Sequence, residues 1–316
     1  MKKVLLIFGG NSTEHNISIK SAQSIFDNIN LFLFDVTPVF INKQNEWFVT
    51  NNTNLNDRNN DIKIDNIIEF LKGYDVVFPI THGNNGEDGK LEGLFDLFNI
   101  KYVGSKTDAS VLCFDKELAK IFFKHLNINQ VPFITIKNMK EIKKIKKFPV
   151  IIKPANGGSS IGINKANNKK ELKKAVKEAF KYDKKIIIEK FINTRELEVA
   201  VLKKKNKLII SDIGEIVSCN NFYDYEAKYQ KESKLQIPAN INKEIKNEIK
   251  KIAKLLFIEM NLKNYARIDF FLENNSLYIN EINTIPGFTE ISMFPKLIEN
   301  NKITYQDLIT ILINNA

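Results

Sequence analysis

The chain has 316 residues, of which 43% are hydrophobic and 27% are charged, so it is not disordered throughout and at roughly 100–200 residues per domain should form two or three domains. No stretch of about 18 apolar residues occurs, and no membrane-spanning helix is predicted. The net charge of +10 raises the alternative of a nucleic-acid-binding protein, but only three of the 47 basic residues are arginine, the residue preferred for bidentate contacts with bases and phosphates. The lysine, asparagine and isoleucine richness indicates a composition bias instead, and we expect neither a nucleic-acid nor a membrane partner.

The first third of the chain alternates predicted strands and helices. Residues 3–8 indicate a buried parallel strand, and this apolar run is too short before Gly9 to be the core of a secretory signal. Ser12 or Thr13 can cap a helix that runs to about residue 28. Further strands are predicted at residues 33–40, 47–50, 75–80 and 101–103, and further helices at residues 64–71 and 91–98. This alternation predicts an α/β domain with a parallel sheet that ends at about residue 104.

The remaining two thirds have a different pattern. Helices are predicted at residues 115–126, 170–182 and 243–260, strands at residues 150–153, 161–165, 186–191, 198–202 and 208–216, and a hairpin at residues 266–282. Cys113 and Cys219 give neither a disulfide framework nor the spacing of a metal site, so we expect two packing thiols in a cytoplasmic protein.

Glycine is concentrated at a few places in the sequence. Of the thirteen glycines, nine fall at Gly9 and Gly10, in residues 83–89, in residues 157–162, and at Gly287. Glycine is placed where backbone turns tightly or approaches a ligand closely. Four such places predict a site assembled from several segments.

The predicted hairpin carries the most chemical information. If residues 274–276 form a three-residue loop, Asp269 faces Glu281 and Arg267 faces Asn283, with all four side chains on one face. Opposed carboxylates repel each other, so a cation is expected between them. Oxygen ligands suit Mg²⁺ beside phosphates, whereas Arg267 alone is the alternative cation. The opposite, core face should carry Ile268, Phe270, Leu272, Tyr278 and Ile282.

Three other segments, each rich in polar or glycine residues, follow directly after predicted strands. The loop at residues 154–162, with Lys153 at its base, matches neither a P-loop nor a dinucleotide fingerprint, yet it can present N–H groups and a charge to phosphate; the alternative is a flexible hairpin tip. Glu14 follows the first strand, at the edge where open α/β sheets bind ligands, and can hold an ammonium group or simply favour the helix dipole. His82 ends another strand beside three glycines, which favours a ligand contact.

Residues 222–229 are too aromatic for a plain linker and too charged for a core strand. They suit a lid that excludes water during chemistry, with a partner surface as the alternative.

Taken in order, these segments resemble the D-alanine–D-alanine ligases of the ATP-grasp superfamily over nearly the whole chain, most specifically in FYDYEAKY and NEINTIPGFT. The resemblance implies a three-domain ATP-grasp fold: an N-terminal substrate-binding domain with a parallel sheet (residues 1–104), a central domain (105–188) and a C-terminal catalytic domain (189–316). ATP would be held between the central and C-terminal domains. It also implies a reaction in which ATP phosphorylates the carboxylate of one D-alanine and the amine of a second displaces phosphate, giving D-alanyl-D-alanine for peptidoglycan.

The resemblance also implies a nucleotide site. Lys116, Lys153 and Lys228 resemble phosphate contacts, and Ser159 and Ser160 lie in the loop over the phosphates. The adenine and ribose contacts would be Glu189, the backbone of Lys190, Phe191 and Ile192, and Glu196.

The remaining site residues follow in the same way. Asp269, Glu281 and Asn283 match the ligands of two Mg²⁺ ions, with Mn²⁺ as an alternative ion, and Arg267 with the Gly287 backbone resembles the donors to a developing oxyanion. Glu14 resembles the anchor of the first D-alanine ammonium, with His82 near its carboxylate, and Ser292 a contact to the second D-alanine carboxylate. Tyr229, Ser159 and Glu14 resemble the hydrogen-bonded set that closes the lid.

Alternative functions remain. A D-alanine–D-lactate ligase is the nearest, although Tyr229 and its lid argue for the dipeptide enzyme; another ATP-grasp carboxylate–amine ligase is more distant. A basic binding protein on an inactive scaffold would be expected to lose part of the charged set, which is complete here. Family members often form homodimers through the N-terminal domain, which makes a homodimer an expectation.

Overall fold

A computed structural model describes residues 1–217 and 234–316. This part of the chain forms three β-sheets with helices packed against them. None of its helices is both long enough and apolar enough to cross a membrane. The predicted lid at residues 222–229 and Cys219 lie outside the described residues, whereas Cys113 is buried as predicted and burial raises the pKa of its thiol.

The first sheet has the strand order β4-β3-β2-β1-β5. Its strands are β1 (Lys2–Gly9), β2 (Phe34–Ile41), β3 (Trp47–Val49), β4 (Ile62–Lys63) and β5 (Val76–Pro79). The predicted parallel pairing holds for β2-β1-β5, while β3 and β4 add an antiparallel edge. The strand predicted at residues 101–103 is wrong, because only a single bridge joins Val77 to Tyr102.

Helices pack on this sheet and place its polar loops. They are α1 (His15–Asn28), α2 (Ile67–Lys72) and α3 (Lys90–Leu97). The predicted cap of α1 is wrong: Glu14 is the N-cap residue and its side chain makes no capping bond. The Ser12 hydroxyl donates instead to the backbone oxygen of His82, 2.5 Å away, and so ties the two ligand-facing loops together.

The second sheet is antiparallel, with the order β6-β9-β7-β8. Its elements are β6 (Phe133–Ile136), a 3-10 helix (Met139–Lys144), β7 (Val150–Pro154), β8 (Asn164–Ala166), α6 (Lys169–Ala179) and β9 (Ile186–Lys190). Two helices precede it in the chain, α4 (Thr107–Phe114) and α5 (Lys116–His125), and their buried side chains pack in the core of the third sheet. Asp115 separates α4 from α5 and caps α5 by accepting from the backbone nitrogens of Glu117 and Leu118. That cap places Lys116 at the first position of α5, where it faces the loop between β7 and β8.

The third sheet is antiparallel, with the order β12-β11-β10-β13-β14. Its elements are β10 (Arg195–Lys204), β11 (Lys207–Val217), β12 (Lys234–Gln236), α7 (Lys243–Glu259), β13 (Tyr265–Glu273) and β14 (Ser276–Asn283). Two further helices, α8 (Met293–Glu299) and α9 (Tyr305–Asn314), carry apolar side chains into a core that also contains residues of β1 and β5. This shared core fixes the C-terminal segment against the first sheet.

The β13-β14 hairpin confirms the predicted pairing of its polar residues, although its turn and register differ from the prediction. Asp269 pairs with Glu281 and Arg267 with Asn283. The three-residue loop is wrong, since Glu273 pairs with Ser276 across a two-residue turn, and an irregularity after Asp269 restores the predicted register.

The same irregularity overturns one predicted core residue. Tyr278 pairs with Phe271 and is only half-buried, while Leu277 and Ile279 fill the core instead. Asn280, which broke the predicted apolar face, is the extra residue of this bulge and lines a cavity.

Candidate active site

Two adjoining cavities lie where the three sheets meet. One, of about 390 Å³, lies between the second and third sheets, and the other, of about 1280 Å³, lies between the first and third. They share a set of lining residues: Lys116, Gly157, Gly158, Ser159, Glu198, Ile216, Arg267 and Glu281. A group held in one cavity can therefore meet a group held in the other across these side chains.

The wall of the smaller cavity on the second sheet is positively charged. Glu189 on β9 is buried and forms ion pairs with two lysines: the Nζ of Lys153 lies 2.8 Å from its Oε2, and the Nζ of Lys120 lies 2.6 Å from its Oε1. Burial alone would raise the pKa of Glu189, but Lys153 and Lys120 outweigh it and lower that pKa below its usual value. The carboxylate is therefore ionised. Burial lowers the pKa of Lys120, and Glu189 opposes that shift. With both lysines protonated the trio, which we call the cationic wall, carries a net charge of about +1.

Lys116 extends this wall toward the shared boundary. Its Nζ donates to the backbone oxygen of Gly157 at 2.8 Å and lies 3.4 Å from Oε2 of Glu281. Lys116 and Lys153 thus both line the smaller cavity, as expected for groups that bind phosphate.

The Gly/Ser loop between β7 and β8 reaches across to the N-terminal region. Ser159 and Ser160 both adopt positive φ angles, 50° and 58°. The Ser159 hydroxyl donates a short hydrogen bond to Oε1 of Glu14. A Cβ at position 158 would lie 2.6 Å from Oε2 of Glu14, so a larger residue there would displace the Glu14 carboxylate. The loop therefore contacts a residue 145 positions away in the chain, which favours a role at the site over a flexible hairpin tip.

The facing wall on the third sheet has the opposite charge pattern. Arg267 on β13 is buried and donates from Nε and Nη2 to the two oxygens of Asp269, each at 2.8 Å. Its Nε also lies 2.9 Å from Oε2 of Glu198 on β10. Burial lowers the pKa of Arg267, but Asp269 and Glu198 outweigh it and raise that pKa well above its usual value. This trio, the anionic wall, carries a net charge of about −1.

The oxygen atoms on and near Asp269 are of the kind that bind magnesium in sites completed by phosphate. Asn283 donates from Nδ2 to Oδ2 of Asp269 at 2.9 Å, and Glu281 faces Asp269 across the hairpin. Within residues 1–217 and 234–316, no three Asp, Glu, His or Cys side chains converge closely enough to hold an ion. Two carboxylates and an amide oxygen form a partial set, and Mg²⁺ is commonly bound by one or two carboxylates with phosphates and water.

The larger cavity has a buried polar end at the first sheet. His82 is buried, with Nδ1 3.0 Å from the backbone oxygen of Ile285 and Nε2 3.0 Å from the Ser21 hydroxyl. Glu87 lies 3.5 Å from the same Nδ1, and burial, reinforced by Glu14, raises the pKa of Glu87 despite His82. Glu14, His82 and Glu87 all line this cavity.

The opposite end is formed by the segment after β14. Gly287 and Ser292 line the larger cavity, and a Cβ on Gly287 would lie 3.2 Å from the Ser292 hydroxyl. That hydroxyl also lies 2.7 Å from the Thr289 hydroxyl, which fixes its orientation at the start of α8.

The remaining predicted nucleotide contacts line the smaller cavity, with one difference in detail. Lys190, Phe191, Ile192 and Glu196 border it together with Ser160. Glu189 lines the same cavity, but its carboxylate is engaged by the two lysines of the cationic wall. Lys228 and Tyr229 lie outside the described residues.

Sequence reasoning missed three charged residues of the site. Lys120 and Glu198 are buried in it and Glu87 is partly buried, yet each lies in a helix, strand or loop whose local pattern explains its presence without a function. Of these three, only Glu87 could have been identified from the sequence, because it lies within the glycine-rich segment at residues 83–89.

Comparison with known proteins identifies the chain's relatives. The family model described as D-ala D-ala ligase N-terminus matches residues 3–105, and the one described as D-ala D-ala ligase C-terminus matches residues 115–314. The D-alanine–D-alanine ligase B of Clostridium tetani is 42% identical, covering 99% of this chain and 93% of the relative. The D-alanine–D-alanine ligase of Acetivibrio thermocellus is also 42% identical, covering 100% of this chain and 96% of the relative.

Solved structures of such enzymes share the fold. The VanG D-Ala:D-Ser ligase of Enterococcus faecalis superimposes with a TM-score of 0.88 at 35% identity, covering 99% of this chain and 98% of that one. The D-alanine–D-alanine ligase of Coxiella burnetii superimposes with a TM-score of 0.85 at 30% identity, covering 100% and 95%.

Proposed function

This chain belongs to the D-alanine–D-alanine ligase family, and from that premise we propose how its residues divide the work of the ligation. The chain has the ATP-grasp fold and joins two D-alanine molecules in an ATP-dependent reaction that serves peptidoglycan synthesis. The observation that carries the assignment of roles is the shared boundary of the two cavities, where Lys116, Ser159, Arg267 and Glu281 meet. Phosphoryl transfer needs the nucleotide and the acceptor to meet at positioned charges, and this boundary is such a place.

The smaller cavity is the ATP site in this proposal. Lys153 and Lys116, with Lys228 from outside the described residues, bind the phosphates, and the loop carrying Ser159 and Ser160 covers them. The backbone of residues 190–192 contacts adenine and Glu196 contacts ribose. We assign no adenine contact to the Glu189 carboxylate, because Lys120 and Lys153 already engage it.

Asp269, Glu281 and Asn283 would hold two Mg²⁺ ions, or Mn²⁺, against the phosphates. Bound there, the ions supply charge neutralisation for the transferred phosphoryl group. The anionic wall supports this assignment, since its net negative charge faces the lysines across the cavity.

The larger cavity is the D-alanine site. Glu14 accepts from the ammonium of the first D-alanine, and His82 lies beside its carboxylate. Arg267 and the Gly287 backbone donate to the oxyanion that develops when the acyl phosphate is attacked. Ser292 contacts the carboxylate of the second D-alanine, whose amine displaces phosphate from the D-alanyl phosphate.

Exclusion of water protects the acyl phosphate between the two steps. The hydrogen bond from Ser159 to Glu14 already closes the Gly/Ser loop over the boundary. The segment at residues 222–229, with Tyr229 joining Ser159 and Glu14, completes the lid in this proposal.

Three broader statements belong to the same proposal. We place the domain boundaries at residues 1–104, 105–188 and 189–316. We place the protein in the cytoplasm, where ATP and the peptidoglycan precursors meet. We also propose a homodimer through the N-terminal domain, whose exposed apolar side chains include Phe32 and Leu97.

The test is phosphate release from ATP and Mg²⁺ with D-alanine, with L-alanine and with neither, together with identification of the product. We expect release only with D-alanine, and D-alanyl-D-alanine as the product. Addition of D-lactate or D-serine as competing second substrate then measures the selectivity of the second subsite. Release that does not depend on D-alanine would contradict the proposed substrate site.

A further inference from the structure

Lys120 is a buried lysine that none of the proposed roles uses. It lies on α5, one turn beyond Lys116, and its side chain is only 2% exposed. It does not border the smaller cavity; it lies behind the cavity wall, where its Nζ is 2.6 Å from Oε1 of Glu189 and 5.0 Å from the centre of the Phe133 ring. A buried ammonium is costly to desolvate, so its presence needs a reason beyond filling space.

The partner of Lys120 is also the partner of a proposed phosphate-binding residue. Glu189 is a single negative charge, and its second oxygen accepts from Lys153 at 2.8 Å. Without Lys120, Glu189 and Lys153 would form a neutral pair inside the wall. A phosphate would then compete with an adjacent buried carboxylate for the same ammonium group.

With Lys120 present, the balance of charge changes. Glu189 is shared between two ammonium groups, so the trio keeps a net positive charge of about one. Of the two lysines, only Lys153 borders the cavity. The surplus positive charge of the trio therefore lies beside the position that a phosphate would occupy. Lys120 thus acts on a ligand that it does not touch.

We propose that Lys120 is a positioning residue for ATP, which neutralises Glu189 from behind the cavity wall so that Lys153 is available to bind phosphate. The proposal rests on the proposed role of Lys153 as a phosphate contact. It differs from a packing role in a way that can be measured, because it depends on charge and concerns only ligands that carry phosphate.

The experiment measures binding of ATP and of adenosine by calorimetry to the full chain and its variants. Lys120→Met removes the charge and keeps the length of the side chain, and Lys120→Gln also keeps a hydrogen-bond donor for Glu189. In both we expect ATP affinity to fall on the order of tenfold and adenosine affinity to stay the same. Lys124→Met, an exposed change on the same helix, is the matched control and should bind both ligands as the parent does.

The decisive variant combines two losses. In Lys120→Met/Glu189→Gln the trio is reduced to Lys153 alone, so the net charge returns to about +1. We therefore expect the double variant to bind ATP within about threefold of the parent and more tightly than Lys120→Met. A packing role predicts the reverse, because removing a second buried partner would add to the damage.

Two outcomes overturn the inference and one overturns its premise. ATP affinity unchanged in Lys120→Met and Lys120→Gln, or a double variant that binds ATP no more tightly than Lys120→Met, would show that Lys120 does not act through Glu189. Lys153→Met tests the premise separately: if it leaves ATP affinity equal to that of the parent, the phosphate role of Lys153 fails. If Lys120→Met does not fold, as judged by thermal unfolding, Lys120→Gln and the double variant carry the same test.

Discussion

Each of the two facing walls of the smaller cavity buries three charged side chains, and the net charges of the two walls are opposite. On the second sheet a buried carboxylate, Glu189, is held between Lys120 and Lys153; on the third sheet a buried guanidinium, Arg267, is held between Asp269 and Glu198. In each trio the central charge cannot neutralise both partners, so one wall is left positive and the other negative. Burying charge is costly, but an uneven trio leaves a residual charge aimed into the cavity.

The net charge of each wall indicates which ligand the wall can bind. The positive wall suits phosphate, and the negative wall, with Glu281 and Asn283 beside it, suits cations that accompany phosphate. A nucleotide with its metal ions would complete both walls at once. Breaking either trio should therefore damage different steps, and four changes test this.

The largest effect is expected from the central residue of the anionic wall. Arg267→Met removes the buried cation that Asp269 and Glu198 share, which should lower the free energy of unfolding by about 3–5 kcal/mol and abolish ligation. Chemical denaturation measures the first and product formation the second. Arg195→Met is the comparison, because Arg195 pairs with Glu215 but is 40% exposed, and its loss should cost far less stability. Equal stability losses in the two variants would contradict the buried trio.

The next effect concerns the proposed metal ligand beside that wall. Glu281→Gln removes a charged oxygen ligand while keeping the shape of the side chain, so turnover should fall on the order of 100-fold with the midpoint of thermal unfolding nearly unchanged. Steady-state rates at several Mg²⁺ concentrations measure it. Glu259→Gln, an exposed change at the end of α7, is the control and should leave the rate as it is. Normal turnover in Glu281→Gln would remove Glu281 from the metal site.

A smaller and pH-dependent effect is expected in the cationic wall. The pKa of Glu189 is lowered in the folded protein, so its stabilising contribution is present above its ordinary pKa of about 4.3 and is lost as the pH falls through the folded value. Glu189→Gln should lower the free energy of unfolding by about 2 kcal/mol at pH 7, and this difference should shrink as the pH falls below about 4.3.

Denaturation at a series of pH values measures this dependence. Glu248→Gln on the exposed face of α7 is the control and should show little difference at any pH. A stability difference between Glu189→Gln and the parent that stays constant down to acid pH would show that the charge of Glu189 is not what stabilises the wall.

The smallest effect concerns the connection between the cationic wall and the first sheet. Ser159→Ala removes the hydrogen bond to Glu14 but keeps the Gly/Ser loop, so the KM for D-alanine should rise on the order of tenfold while ATP affinity changes less. Ser276→Ala in the exposed hairpin turn is the control. A loss of ATP affinity equal to the loss for D-alanine would mean that Ser159 orders the whole loop rather than anchoring Glu14.

The chemically meaningful half of the β13-β14 hairpin was predictable because strand pairing is local. Asp269 and Glu281 are twelve positions apart, and alternation with a short connection is enough to bring them opposite each other. The prediction was wrong for the turn and for Tyr278. A two-residue turn followed by a bulge gives the predicted pairing at Asp269 but shifts the pairing between the bulge and the turn by one residue. The resemblance to a known family supplied the roles that local pattern leaves open.

The parallel core strands β1, β2 and β5, the polar face of the hairpin and the glycine-rich loops could be predicted from local sequence. These depend on side-chain periodicity and on backbone freedom, which act over a few neighbouring residues. The contact of Ser159 with Glu14, of Glu198 with Arg267, and of Lys120 with Glu189 follows from tertiary packing alone. Those partners lie on separate elements, and whether a buried charge is paired or stranded depends on which element packs against it.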